Sequence, residues 1–261
     1  MTRTLLALCL VFFLASTASS QDRNQYEKRL LVSSGDTLPY RILLPQDFNP
    51  KKKYPLILFL HGSGERGRDN EAQLTHGWKL FLGDSIRNAF PAIVVFPQCP
   101  SNSSWSNVQF AYDSASKKRT FNFLESGDPT TGMRLVLELL DKLGKDYKLD
   151  KGRLYVGGLS MGGMGTFELV ARKPKMFAAA FPICGGANPT AIEKFSRPAW
   201  WVFHGAKDDV VPPQYSQVMV DALKAIGANV KFTLYPNASH NSWDAAFAEK
   251  DLMPWLFSQK K

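Results

Sequence analysis

Tyr155-Val156-Gly157-Gly158-Leu159-Ser160-Met161-Gly162-Gly163-Met164-Gly165 decides how this chain folds. The apolar run Arg153 to Val156 enters a glycine-rich turn, and Thr166 to Arg172 beyond it suits a helix until Lys173-Pro174. Gly-x-Ser-x-Gly between a strand and a helix describes a sharp turn that lifts a serine hydroxyl to the top of a sheet. The turn strains the serine backbone, so its neighbours two residues either side must be small, and here they are Gly158 and Gly162. The following helix start then faces any negative charge that forms at the serine. An incidental serine in a glycine-rich turn has the same letters. The strand before and the helix after favour a nucleophile.

Working outward, Leu56 to Leu60, Ala92 to Phe96, Phe177 to Phe181 and Trp200 to Phe203 are continuous apolar runs like the one before the turn. Strands buried on both faces read this way, which places them inside a parallel sheet. Arg29 to Ser33 and Leu38 to Leu44 read as a hairpin turning at Ser34-Gly35-Asp36, and Val230 to Tyr235 alternates like an edge strand. Between the strands, Met133, Val136, Leu137, Leu140 and Leu143 share one helical face, with Gly144 placed as a C-cap. Met219, Ala222, Leu223 and Ile226 make a second stripe that ends at Gly227. Strands alternating with helices imply right-handed crossovers, helices on both faces, and a ligand at the carboxyl ends of the strands. Pro100 to Thr130 fits neither period and reads as a long polar loop walling the cleft, with Trp105 and Tyr112 in it.

A serine nucleophile needs a base and an orienting acid, which follow it in the order acid, then histidine. The chain has four histidines. His61 and His204 each end a buried run in a His-Gly pair, and His76 comes too early. His240 follows the last strand and is the candidate base, a structural histidine being the alternative there. The acid belongs after Trp200 to Phe203, where Asp208 and Asp209 are adjacent candidates. Asp208 is favoured because Asp-x-x-Val-Pro turns the chain directly behind it. The backbone N–H of Met161 and one from His61-Gly62-Ser63-Gly64-Glu65-Arg66-Gly67, with Ser63 ahead of Gly64, would hold an oxyanion. Glu65 and Arg66 are expected to pair locally and hold the loop rather than touch substrate. Trp105 and Trp243, with Trp78, are candidates to line a substrate pocket or simply to pack.

Arg3, the apolar run Leu5 to Leu14 and the small residues Ala15 to Ser20 form an export signal at residues 1–20, ahead of a domain at 21–261. The apolar run is too short to span a bilayer. Export is expected, to the extracellular space or periplasm, with no stable membrane insertion after cleavage. Of 32 Lys and Arg against 23 Asp and Glu, cleavage removes only Arg3 and leaves +8. The basic residues are scattered with no aromatic-interleaved stripe, so nucleic acid is a poor partner. The dispersed histidines have no metal-ligand spacing, and neither metal nor cofactor is expected. Cleavage leaves Cys99 and Cys184, an even number that permits a disulfide.

His61-Gly62-Ser63-Gly64-Glu65-Arg66-Gly67, Phe96-Pro97-Gln98-Cys99-Pro100, Gly158-Leu159-Ser160-Met161-Gly162-Gly163, His204-Gly205-Ala206-Lys207-Asp208-Asp209-Val210-Val211-Pro212 and His240-Asn241-Ser242-Trp243 occur in this order. Together they resemble the secreted carboxylesterases of the α/β-hydrolase superfamily, including phospholipase/carboxylesterase-like, feruloyl-esterase-like and "predicted peptidase" members. The resemblance implies a mostly parallel eight-stranded α/β sheet with helices on both faces. It also implies Ser160, Asp208 and His240 as a metal-free triad for acyl transfer, acting on small-molecule or polysaccharide-linked esters. A small serine peptidase or amidase, and a binding protein that has lost catalysis, are the alternatives. The superfamily's strand order puts the strands ending at Cys99 and Cys184 three positions apart, roughly 14 Å at about 4.8 Å per strand, so the two thiols are expected to be free.

Overall fold

The computed structural model describes residues 22–115, 118–125 and 127–261. The expected export signal at residues 1–20, with Cys9, lies outside the described residues. β1 (Glu27–Ser33) and β2 (Asp36–Leu43) form the expected hairpin. Its turn residues Ser34 and Gly35 both have positive φ, 51° and 82°, as a tight two-residue hairpin turn demands.

The remaining elements follow as β3 (Tyr54–Leu60), α1 (Asp84–Ala89), β4 (Ile93–Pro97), β5 (Val108–Asp113), β6 (Lys118–Phe123), α2 (Thr131–Asp146), β7 (Leu149–Leu159), α3 (Met161–Arg172), β8 (Ala179–Ile183), β9 (Ala199–Gly205), α4 (Gln214–Ala225), β10 (Val230–Tyr235), α5 (Trp243–Phe247) and α6 (Leu252–Ser258). Eight strands form one sheet in the order β1-β2-β4-β3-β7-β8-β9-β10. β2 is antiparallel to both of its neighbours, and every pair from β4 to β10 is parallel.

The apolar strands divide their side chains between two cores. Leu56, Leu58 and Leu60 face the layer that holds Met133 and Leu139 of α2, Phe167 of α3 and Met219 of α4. Ile57 and Phe59 face the other side, with Phe81, Ala246 of α5 and Leu256 of α6. Helices therefore cover both faces, and burial on both sides explains why these strands read as unbroken apolar runs. The Thr130 hydroxyl caps α2 by accepting the Met133 N–H at 3.1 Å.

Three boundaries differ from the sequence reading. Gly144 does not end α2, which continues to Asp146, because Lys142 and Asp146 pair one turn apart in the exposed last turn. The strand expected at Phe177–Phe181 lies two residues later, at Ala179–Ile183. Pro100–Thr130 is not a plain loop, since β5 and β6 form a two-stranded hairpin within it. Val108, Phe110 and Tyr112 share a face with Phe123, Phe121 and Arg119 across the pair. Phe121 and Phe123 rest on the Tyr215 ring, at 5.4 and 5.7 Å, while Phe110 is 73% exposed. The alternation was there to read, but its apolar face is only half buried, so the composition resembles a loop.

Candidate active site

The turn after β7 has the geometry its sequence demands. Ser160 has φ 54° and ψ −118°, outside the ordinary regions for a side-chain-bearing residue. Its N–H is tied to the Ile183 carbonyl of β8 at 2.9 Å. A Cβ on Gly162 would lie 1.9 Å from the Leu60 carbonyl oxygen, and one on Gly158 2.3 Å from that of Gly162. Only glycine lets the turn sit this close to the end of β3. Ser160 is thus raised at the carboxyl end of the central strand, with α3 starting behind it.

The chain's ends of β9 and β10 bring the other two groups. The loop after β9 carries Asp208, whose Oδ1 accepts the N–H groups of Val210 and Val211, both at 2.9 Å. The loop after β10 carries His240. Its Nδ1 lies 2.8 Å from Asp208 Oδ2 and its Nε2 lies 3.0 Å from Ser160 Oγ. A carboxylate only accepts, so Nδ1 carries the hydrogen and Nε2 is free to accept the serine proton. Asp208 is buried and Asp209 beside it is exposed, so only the first of the two candidates meets the imidazole. Burial alone would raise the Asp208 carboxyl, but the N–H groups of His204, His240 and Val211 outweigh it and hold the group well below the usual carboxylate range.

The loop after β3 lies against the serine. A Cβ on Gly62 would be 3.7 Å from Ser160 Cβ, and Ser63–Glu65 form a single 3-10 turn. His61 Nε2 accepts the Cys99 N–H at 2.9 Å, and Nδ1 meets the Gly62 carbonyl at 2.6 Å. Gln98 holds the far side of the loop, accepting from the Asn70 N–H at 2.8 Å and donating to Asp69 at 2.9 Å. Buried Arg41 donates to the Asn70 carbonyl at 2.6 Å and to Glu71. Met161, as the first residue of α3, has an N–H with no acceptor inside its own helix. Glu65 and Arg66 both make local contacts on this loop. Arg66 donates to the carbonyls of Ser63 and Ser103, at 3.0 and 3.2 Å, while the Glu65 carboxylate stands 3.9 Å from His61 and 3.8 Å from His76.

Of the aromatic candidates, Trp243 flanks the site and Trp105 does not. The Trp243 ring meets His240 edge-on at 5.3 Å and His76 at 5.0 Å, forming a wall beside the imidazole. Trp105 is fully buried, and its Nε1 donates to the His61 carbonyl at 3.0 Å. It braces the loop from inside the core and lines no cleft. Trp78 is buried too, packed with Phe81 on the opposite face of the sheet.

Sequence reasoning gave two buried residues, His204 and Cys184, no part in the site. His204 lies behind Asp208, with Nε2 3.2 Å from Oδ2. The Cys184 thiol lies beneath, close enough that it, Asp208 and His240 place ligand-type atoms within 4.8 Å of one another. Among the described residues this is the only such group. Its carboxylate and imidazole are bonded to each other, and burial pushes the thiol far up. Cys99 and Cys184 are both free and buried.

Residues 33–256 match the Esterase family. The chain belongs to that family. Its fold is that of the α/β-hydrolases. A solved structure described as a thermostable esterase superimposes with a TM-score of 0.81 at 34% identity, over 91% of this chain and 64% of that one. Poly(3-hydroxyalkanoate) depolymerase C of Paucimonas lemoignei is 31% identical over 54% of this chain. Bifunctional acetylxylan esterase/xylanase XynS20E of Neocallimastix patriciarum is 29% identical over 68%. The chain spans 30% and 22% of the lengths of these two relatives. Among the described residues, no helix of this chain is long and apolar enough to cross a membrane.

Proposed function

We propose that this chain is an exported serine esterase that cleaves small acyl or hydroxycinnamoyl esters, including esters carried on polysaccharide, through an acyl-enzyme. The observation that carries the reading is the continuous Ser160–His240–Asp208 hydrogen-bond chain on a strained turn, with contacts of 3.0 and 2.8 Å. As Ser160 Oγ bonds to the ester carbonyl carbon, its proton passes to His240 Nε2. The carbonyl oxygen becomes an oxyanion held by the N–H groups of Ser63 and Met161. Collapse breaks the bond to the alcohol oxygen, which leaves with the proton from His240. Water then gives a proton to His240 and its oxygen to the acyl carbon, and Ser160 departs with that proton. Asp208 stays anionic throughout and holds the imidazole in one tautomer.

Substrate class rests on lesser support. The Trp243 ring beside His240, with His76 tilted against it, offers an aromatic surface for an aromatic acyl group or a sugar ring. One relative is named for acetylxylan. The export signal at residues 1–20 suits an enzyme whose ester is carried outside the cell.

A panel of aryl, feruloyl, acetyl-xylan and long-chain esters plus an aminoacyl amide, assayed with chelator and with a fluorophosphonate probe, tests the proposal. Short acyl or hydroxycinnamoyl esters should be cleaved fastest, and the probe should label Ser160. Preferred cleavage of the amide or of long-chain esters would overturn the substrate assignment. Failure of the probe to label, or loss of activity to the chelator, would overturn the serine mechanism.

A further inference from the structure

Asp208 does not serve one imidazole alone. His204, fully buried at the end of β9, places Nε2 3.2 Å from Oδ2, the same oxygen that meets His240. That nitrogen also lies 2.9 Å from the Val211 carbonyl. Both neighbours are pure acceptors, so Nε2 carries a hydrogen. The other ring nitrogen meets Ser216 Oγ at 2.7 Å, and Ser216 in turn donates to the Gly185 carbonyl at 2.7 Å. One ring therefore ties three segments together: the loop that carries Asp208, the first turn of α4, and the chain leaving β8 beneath Ser160.

We propose that His204 is a positioning residue for the reaction, acting through Asp208; the inference rests on the esterase reading above. Two consequences follow from its place. Contact with the Val211 carbonyl closes the loop whose Val210 and Val211 N–H groups hold Oδ1, so the carboxylate cannot rotate away from His240. The hydrogen on Nε2 also draws on the charge of Oδ2 that would otherwise fall on His240 alone. A buried carboxylate facing a single imidazole binds that imidazole's proton more tightly, because no water shares the charge. His204 moderates this hold, so His240 can release its proton to the leaving alcohol.

The other ionisable groups nearby leave this effect to His204. The Cys184 thiol is pushed far up by burial and stays neutral. Lys207 turns outward to Asn237 at 3.1 Å, and Asp209 is exposed.

The test is the pH profile of kcat/KM on an aryl acetate for the parent chain, His204→Phe, His204→Gln and Asp208→Asn. Removing the hydrogen from Oδ2 leaves more negative charge on His240 and stabilises its protonated form. The acid limb of His204→Phe should therefore move up by about half a pH unit or more, with kcat down at least tenfold and KM within threefold. His204→Gln, which keeps an N–H, should recover part of both. A purely structural histidine would lower Tm and leave the limb where it was, and that result, or a downward shift, overturns the proposal. Should neither variant fold, the ring N–H signals of 15N-histidine-labelled Ser160→Ala decide. The His204 Nε2–H resonance must move when Asp208→Asn is added, and a fixed resonance sinks the idea. If Asp208→Asn itself keeps full activity, the esterase mechanism fails instead, which separates the two outcomes.

Discussion

The imidazole of His61 accepts the backbone N–H of Cys99 at its Nε2, 2.9 Å away. The hydrogen must then sit on Nδ1, which donates to the Gly62 carbonyl at 2.6 Å. In a trans peptide the next N–H points opposite to that carbonyl. His61 thereby sets the direction of the Ser63 amide, the proposed oxyanion donor, from a position outside the reaction.

The same burial makes His61 a pH liability. It lowers the His61 pKa to about 4, whereas an imidazole in the unfolded chain takes its proton near 6.5. Between those values only the unfolded state gains the proton, so stability is level above about pH 6.5 and falls as pH drops toward 4. The loss reaches about 3 kcal/mol. Urea midpoints at pH 7.5, 6, 5 and 4 should show this slope in the parent and a shallower one in His61→Gln. Carboxylates held low, such as Asp208 and Asp69, act below that window and are common to both proteins. Equal slopes would mean another group carries the effect.

Ser160→Ala should fold with an unchanged Tm and lose about 10⁴-fold or more of kcat. Asp208→Asn should cost about 10⁴-fold, because the imidazole would lose its tautomer. Asp209→Asn, at an exposed position, should cost less than about tenfold. Steady-state kinetics on one aryl ester checks all three. Reversal of the two aspartate results would move the acid by one residue.

Gly162→Ala and Gly144→Ala should have opposite effects. A Cβ at residue 162 would lie 1.9 Å from the Leu60 carbonyl, which is backbone and cannot step aside. The expected cost is about 3 kcal/mol or more. Gly144 lies inside α2 with nothing within 4 Å of its added Cβ, so alanine there should stabilise by up to about 1 kcal/mol. Thermal melts of the two variants against the parent decide it.

Thiol titration should find two reactive groups in the denatured chain once residues 1–20 are removed, Cys99 and Cys184, and a third only where Cys9 is retained. In the native protein both should react slowly. Burial pushes Cys99 up to about 12 and Cys184 further, so almost no thiolate is present at neutral pH. No titratable thiol after unfolding without reductant would mean that the two are bonded to each other.

Much of the site was legible because its local rules are strict. A serine between Gly158 and Gly162 after an apolar strand has few structural uses, and the order of His61, Ser160, Asp208 and His240 along the chain follows the order of the strand ends. Even the choice of Asp208 over Asp209 came from the turn behind it, since Val210 and Val211 point their N–H groups back at the carboxylate. The β5–β6 hairpin was harder, because pairing between strands depends on partners that no single segment shows.

The sequence by itself therefore determined the sheet's buried strands, the strained serine turn and the residues that can supply proton transfer, since each depends on neighbours a few positions away. Only the tertiary structure decided which side chains meet across distance. Trp105, read as a cleft residue, turns inward to the His61 carbonyl, because its indole N–H finds an acceptor there that a buried ring needs. His204, read as the mere end of a strand, reaches the oxygen of Asp208 that His240 also uses. Periodicity records which face of an element is buried. It does not record which polar atom, from which loop, waits on that face.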